Sequence, residues 1–375
     1  MSRTWLFLHD DVVLTEKQEA AVADVVQKRL SGLPVAYITG VKEFYGRTFF
    51  VTQDVLIPKP DTELLVEKAV AYAKAALSEA CNSREGADFE AERSHLGAGT
   101  ESKRQFRFAD ICTGSGCIAV SVLAELFAEF GENCGARGKT DVARFEAGGA
   151  IDVAADFGRV HADATDISAA ALAVARKNAE TLLGGAALRS LKFYEGDLCS
   201  PLMAGGASDV GTSCGGDCAD RGGATSGESN SGQIPKYDLV LSNPPFVPAS
   251  VPDELLRVGR GEPRLALDGD TDSALADFAL GGESARGGTV RAACGVRCDS
   301  PDVETSCEKS SDGLAIIRRL IPQVKKILLP GGVFFMETGE YNAEKAAEYL
   351  SKCGFTDIVI HRDLAGQLRL VESHI

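Results

Sequence analysis

The 375-residue sequence contains no apolar run approaching the ~20 residues that a membrane-spanning helix needs, so membrane association is not expected. Its opening apolar stretch, Trp5-Leu6-Phe7-Leu8, is short and runs at once into Asp10 and Asp11, so it is not expected to act as a signal peptide. Basic charge is also scarce. Lys and Arg total 39 against 54 Asp and Glu, giving a net charge of −15, whereas direct nucleic-acid binders carry a basic footprint. The eleven cysteines form no Cys-x-x-Cys knuckle. Two Cys-x-x-x-Cys pairs, Cys214/Cys218 and Cys294/Cys298, have the wrong spacing, so no metal site is expected. No internal repeat is present. These absences leave a globular, cytoplasmic chain with reduced cysteines, expected to be a monomer.

Within that frame, Thr15 is placed to cap a helix over 15–31, with Val22, Val25, Val26 and Leu30 on one apolar face. The pattern predicts that this face meets a core. Residues 40–58 predict a β-hairpin carrying Phe44, Phe49, Phe50 and Val51, and a helix over 61–79 starts from an Asp61 or Thr62 cap. From there strand and helix patterns alternate to about residue 359, which predicts an α/β fold built on a parallel, doubly wound sheet. Four stretches break the alternation: 80–105, 131–157, 203–233 and 273–311. They are rich in Gly, Ser, Ala, Cys and charge, and read as surface insertions. The division expected is an N-terminal helical and hairpin region, 1–57, followed by one α/β unit, 58–375.

Chemistry concentrates at strand ends, where open α/β sheets place their ligands. Phe108 to Val120 reads as a short strand, an acidic residue, a Gly-rich turn at Gly114 and Gly116, and an apolar helix start. The full Gly-x-Gly-x-x-Gly fingerprint is not met, because Ala119 takes the last position, although Ala is tolerated there. Asp166 ends a second strand over 158–165, where a carboxylate suits ribose hydroxyls. It lies 50 residues after Gly116, and removing the 131–157 insertion restores ordinary spacing. Asp197 ends a third segment and suits an exocyclic adenine amine. A fourth strand, Leu239-Val240-Leu241, stops at Asn243-Pro244-Pro245-Phe246. Its Asn side chain and proline-fixed carbonyl offer two acceptors in fixed register, and the Phe adds a flat wall. That arrangement suits an amino group carried on a planar system.

This order of strand ends resembles the class I S-adenosylmethionine-dependent methyltransferases (a Rossmann-like doubly wound sheet). Narrower blocks sharpen the resemblance. They include Pro34-Val35-Ala36-Tyr37-Ile38-Thr39-Gly40, Glu43-Phe44-Tyr45-Gly46, Ile57-Pro58-Lys59-Pro60-Asp61-Thr62-Glu63 and Glu262-Pro263. Ala266-Leu267, Asp312-Gly313-Leu314, Gly331-Gly332 with Met336-Glu337, and the tail Asp363 to Arg369 complete them. Together they resemble the glutamine N5-methyltransferases of the PrmC/HemK type, which modify the Gly-Gly-Gln motif of peptide chain release factors. Departures are Lys59 for Arg, Phe246 for Tyr, Cys112 for a common Gly (a small-for-small change expected to be harmless), Asn342 for Gln, and a shorter helical region ahead of Pro34.

The resemblance implies S-adenosylmethionine as cofactor, release factors as protein partner, and 1–57 as a reduced substrate-docking region. It implies a cofactor site of Asp110, Cys112, Thr113, Gly114, Ser115, Gly116, Asp166, Ile167, Asp197, Leu198 and Asn243. Catalysis and acceptor binding fall to Asn243, Pro244, Pro245 and Phe246. For Asp110, bonding to the loop's own N–H groups is an equal reading. No acid–base dyad is expected, Glu337 is expected to orient the site, and His161 and His361 are read as structural. The alternatives are an adenine amino methyltransferase, which shares Asn-Pro-Pro-aromatic but needs a basic, aromatic-interleaved recognition segment, a ribosomal-protein glutamine methyltransferase, and a non-catalytic S-adenosylmethionine-binding module.

Overall fold

In the computed structural model the described residues are 3–8, 12–91, 105–133, 160–204, 234–252, 261–270 and 312–375. Strands β1 (Val41–Phe44) and β2 (Arg47–Phe50) form an antiparallel hairpin. The remaining strands are β3 (Phe106–Ile111), β4 (Val160–Asp166), β5 (Leu191–Glu195), β6 (Tyr237–Ser242), β7 (Leu328–Glu337), β8 (Thr356–Arg362) and β9 (Leu368–His374). They make one sheet in the order β5-β4-β3-β6-β7-β9-β8. The order reverses between β3 and β6, and that switch point is where the ends of neighbouring strands splay to leave a crevice.

The sheet is mixed, which corrects the parallel expectation. Strands β3 to β7 pair in parallel, but β9 runs antiparallel to both β7 and β8. Strand periodicity records which residues face a core. It does not record direction, and no helix separates β8 from β9 to force a crossover.

Side-chain alternation divides the interior into two cores. Phe106, Phe108, Leu239, Leu241, Val333 and Phe335 face the helices Glu63–Ala91, Cys117–Asn133 and Ala169–Leu182. The intervening Ala109, Ile111, Val240, Phe334 and Met336 face Ala315–Ile327 and Ala343–Lys352. Phe44 and Phe49 of the hairpin enter the first core, so the hairpin is packed against the sheet's helices rather than standing apart. Asn178 ties it down. Its Oδ1 accepts from the Phe50 N–H at 2.8 Å, and its Nδ2 donates to the carbonyls of Phe50 and Ser115, each at 2.9 Å.

The helix predicted over 15–31 forms as Glu16–Leu30 with a capping box between Thr15 and Gln18. Its expected core contact does not form: Val22, Val25, Val26 and Leu30 are 52%, 45%, 47% and 74% exposed. An apolar stripe states that a face is apolar, not that the chain returns to cover it. The helix predicted to end near 79 runs on to Ala91, and the one before the second insertion reaches Asn133. Apart from residues 105, 203 and 204, the rest of the four insertions, with both Cys-x-x-x-Cys pairs, lies outside the described residues. Among the described residues, no helix is long and apolar enough to cross a membrane, and no cluster of His, Cys, Asp and Glu could hold a metal ion.

Candidate active site

The parallel strands deliver their carboxyl ends to a cavity of about 460 Å³. Its wall includes Cys112, Thr113, Gly114, Ser115, Asp166, Ile167, Asp197, Leu198, Asn243 and Pro245, four strand ends brought together from four separate parts of the chain. Asp110, Gly116, Pro244 and Phe246 are not on the wall.

Asp110 is fully buried beneath the Gly-rich loop, where its Oδ2 accepts from the Thr113 hydroxyl at 2.6 Å and the Ala119 N–H at 3.2 Å. That geometry supports the loop-bonding reading. Burial pushes its carboxyl up to about 7, against those two hydrogen bonds, with the charge of Asp166 adding to the rise. Gly116 has φ +78°, and a Cβ there would lie 3.1 Å from Ala175 Cβ, so it lets the loop sit down on the helix behind it. Cys112 also sits in the left-handed region, at φ 63°. The change from Gly is therefore not conformationally neutral, because a Cβ there costs about 1 kcal/mol. Desolvation raises its thiol well above the ordinary range, although the residue is only half-buried and lines the cavity.

Asp166 binds the loop as well as facing the cavity: it accepts from the Gly114 N–H at 2.8 Å and the Ser168 N–H at 2.9 Å. Asp197 is paired with Arg319 from the helix Ala315–Ile327, and both line the cavity. No local sequence signal points to Arg319. It belongs to an amphipathic helix and reaches the site only through folding.

The Asn-Pro-Pro-Phe loop is held from several directions. Phe246 packs its ring against the second core, and its carbonyl accepts from Asn342 Nδ2 at 3.0 Å and Tyr341 OH at 3.3 Å. Gly269 and Gly313 press on its backbone. A Cβ on Gly313, which has φ +74°, would fall 2.1 Å from the Phe246 carbonyl oxygen. The Gly313 N–H donates to Asp270 Oδ1 at 2.7 Å, so the described residues on either side of 273–311 meet beside the loop. Lys59, the replacement for Arg, makes a single 2.6 Å ion pair with Glu262 Oε1, which also accepts from the Ile57 N–H at 3.3 Å. Asn243 donates through Nδ2 to Thr62 Oγ1 at 3.2 Å. His161 and His361 bond to Asp163 at 3.0 Å and Glu372 at 2.6 Å, among strand residues that do not line the cavity.

The cavity suits S-adenosylmethionine on its own chemistry. It offers carboxylates for hydroxyl and amine donors, apolar patches at Ile118, Ile167 and Leu198, and backbone at the Gly-rich turn free of side-chain bulk.

Comparison with known proteins gives the following matches. A sequence model of the family described as "PrmC N-terminal domain" matches residues 1–40. A release factor glutamine methyltransferase of Bordetella pertussis is 30% identical over all of this chain and 90% of its own length. One from Coxiella burnetii is 26% identical over 99% of this chain and 85% of its own. Among solved structures, a ribosomal protein L11 methylase from Lactobacillus delbrueckii subsp. bulgaricus aligns over 86% of this chain and 82% of its own, with 13% identity and a TM-score of 0.35.

Proposed function

The chain belongs to the release factor glutamine methyltransferase family, and we propose that it transfers a methyl group from S-adenosylmethionine to the glutamine side-chain amide nitrogen in the Gly-Gly-Gln motif of peptide chain release factors. It is a protein-glutamine methyltransferase. The observation that carries the finer reading is the single cavity in which Asn243 and Pro245 share a wall with Asp166, Asp197 and the Gly-rich turn.

S-adenosylmethionine supplies a methyl on a positively charged sulfonium. Asp166 would hold its ribose hydroxyls and Asp197 its adenine amine, with Thr113 to Gly116 facing the methionine portion. An amide nitrogen is a poor nucleophile because its lone pair is delocalised into the carbonyl. Asn243 Oδ1 and the Pro244 carbonyl, accepting the two amide hydrogens, favour a more pyramidal nitrogen and aim its lone pair. That lone pair would take the methyl of S-adenosylmethionine bound there while the sulfur kept the electron pair of the broken bond, and the amide proton would then pass to solvent. A net charge of −15 suits a basic protein partner better than a nucleic acid.

The test is transfer of tritiated methyl from S-adenosylmethionine to purified release factor, with the motif glutamine replaced by alanine as control. Label on the glutamine form alone is expected. Equal label on both, or transfer that survives Asn243→Ala unchanged, overturns the reading.

A further inference from the structure

An amide side chain has two ends of nearly the same shape and opposite chemistry. Which end of Asn243 faces the cavity decides whether the site accepts hydrogens or donates one. Behind Asn243, away from the cavity wall, lies Glu337 at the end of β7, only 3% exposed. Ser242 pairs with Met336 across the β6–β7 ladder, so Asn243 and Glu337 are neighbours. The Thr62 and Asn243 side chains face the Glu337 carboxyl as hydrogen-bonding groups, while its Oε2 is buried without a partner among the described residues; Thr62 is itself 2% exposed. An ionised carboxylate has acceptors only. The Asn243 atom turned toward it must therefore be Nδ2. The one hydroxyl hydrogen of Thr62 goes to Glu337, which leaves Thr62 Oγ1 to accept the second Nδ2 hydrogen, the 3.2 Å contact observed. Both Asn243 donors are then consumed, and Oδ1 is left for the acceptor.

We propose that Glu337 is a positioning residue for methyl transfer: its carboxylate, with Thr62 as intermediary, locks Asn243 with Oδ1 toward the substrate amide. The same lock excludes a glutamate side chain, whose carboxylate has no hydrogen to give that oxygen. The proposal rests on the functional reading above.

Glu337 also has a reason to respond to pH. Burial pushes it up to about 7, opposed by Thr62, by the charge of Arg369 on β9 and by the Asn243 amide, while Asp61 adds to the rise. Arg369 is shared with Asp61 and Asp363, each at 3.2 Å, and the charge of Glu337 is felt by Cys117 on the facing helix. Protonation would turn an acceptor into a donor and release the lock. Activity should therefore rise with pH as the group ionises near 7.

Glu337→Gln is expected to lower kcat at least tenfold, keep the S-adenosylmethionine Kd within about twofold, and erase the pH limb near 7. Thr62→Val should lose kcat in the same way, and Thr62→Ser should restore it. In protein carrying isotope-labelled glutamate carboxyls, the resonance that vanishes in Glu337→Gln should titrate at higher pH in Asn243→Ala, because a hydrogen bond favouring the ionised form is gone. A kcat within twofold of wild type with the limb intact overturns the proposal, as does a tenfold loss of cofactor affinity in place of the kcat loss. If Glu337→Gln gives no cooperative melt, the Thr62 pair decides by the same criteria. Should the wild type transfer no methyl group, the functional reading falls, and an unmoved carboxyl titration in Asn243→Ala then overturns the coupling itself.

Discussion

The loops after β3 and β6 sit side by side at adjacent strand ends, yet they are built in opposite ways. The Gly-rich loop is largely made by its own neighbourhood: Asp110 bonds Thr113 and Ala119, and the Gly116 N–H donates to the Thr113 carbonyl at 2.9 Å. The Asn-Pro-Pro-Phe loop is made by distant chain. Thr62 lies 181 residues from Asn243, and Asn342 lies 96 residues from Phe246. A loop closed by local bonds needs only its turn chemistry, whereas a loop pressed into place by remote backbone depends on every contact around it.

That contrast can be broken most severely at Gly313. Gly313→Ala combines an unfavourable φ with a clash against the Phe246 carbonyl, and should cost about 3 kcal/mol or more in denaturant unfolding while abolishing methyl transfer. A wild-type unfolding midpoint would show that the approach to Phe246 is not tight. The Gly-rich loop also has long-range ties, to Thr165, Asp166 and Asn178. Asn178→Ala strands the Phe50 N–H and two carbonyls and should destabilise by about 2–3 kcal/mol, read from the same unfolding curve.

A third change tests cofactor binding with little effect on the second loop. Asp166→Ala should weaken S-adenosylmethionine binding at least tenfold, about 1.4 kcal/mol by calorimetry, through loss of the ribose acceptor and of the Gly114 bond. Asp110 allows a pH comparison. Its folded value near 7 lies above the unfolded carboxylate value, so its contribution to stability is fully present below about pH 4 and is lost as pH rises through 7. Asp110→Asn should therefore gain stability relative to wild type between about pH 5 and pH 8, measured by chemical denaturation at both. The smallest effect belongs to Cys112→Gly, which relieves the left-handed strain but adds freedom to the unfolded chain. A net gain under about 1 kcal/mol is expected, and a loss would mean that Cys112 packing outweighs its strain.

The Gly-rich loop was legible in sequence because strand, acidic residue, glycine turn and helix start follow one another within Phe108 to Val120. The Asn-Pro-Pro-Phe loop was legible as chemistry, from the acceptors it carries, but not as a supported structure. Asp312-Gly313-Leu314 was visible as a block without a reason. Its reason is the close approach of Gly313 to Phe246, where the described residues on either side of 273–311 meet through Asp270. Glu337 was expected to orient the site, although its partners Thr62 and Asn243 could not be read from the chain.

By itself the sequence determined the α/β class, the four strand ends that carry acceptors or a glycine turn, the hairpin, and the Thr15 cap, because each depends on residues a few positions apart. Tertiary structure alone decided that β9 runs antiparallel, that Asp197 meets Arg319, that the Val22 to Leu30 stripe stays exposed, and that Asn243 meets Thr62 beside a buried Glu337. Those outcomes join or separate residues by tens to hundreds of positions. A period-two or period-3.6 pattern specifies which face of an element is apolar, and leaves open which other element will meet it.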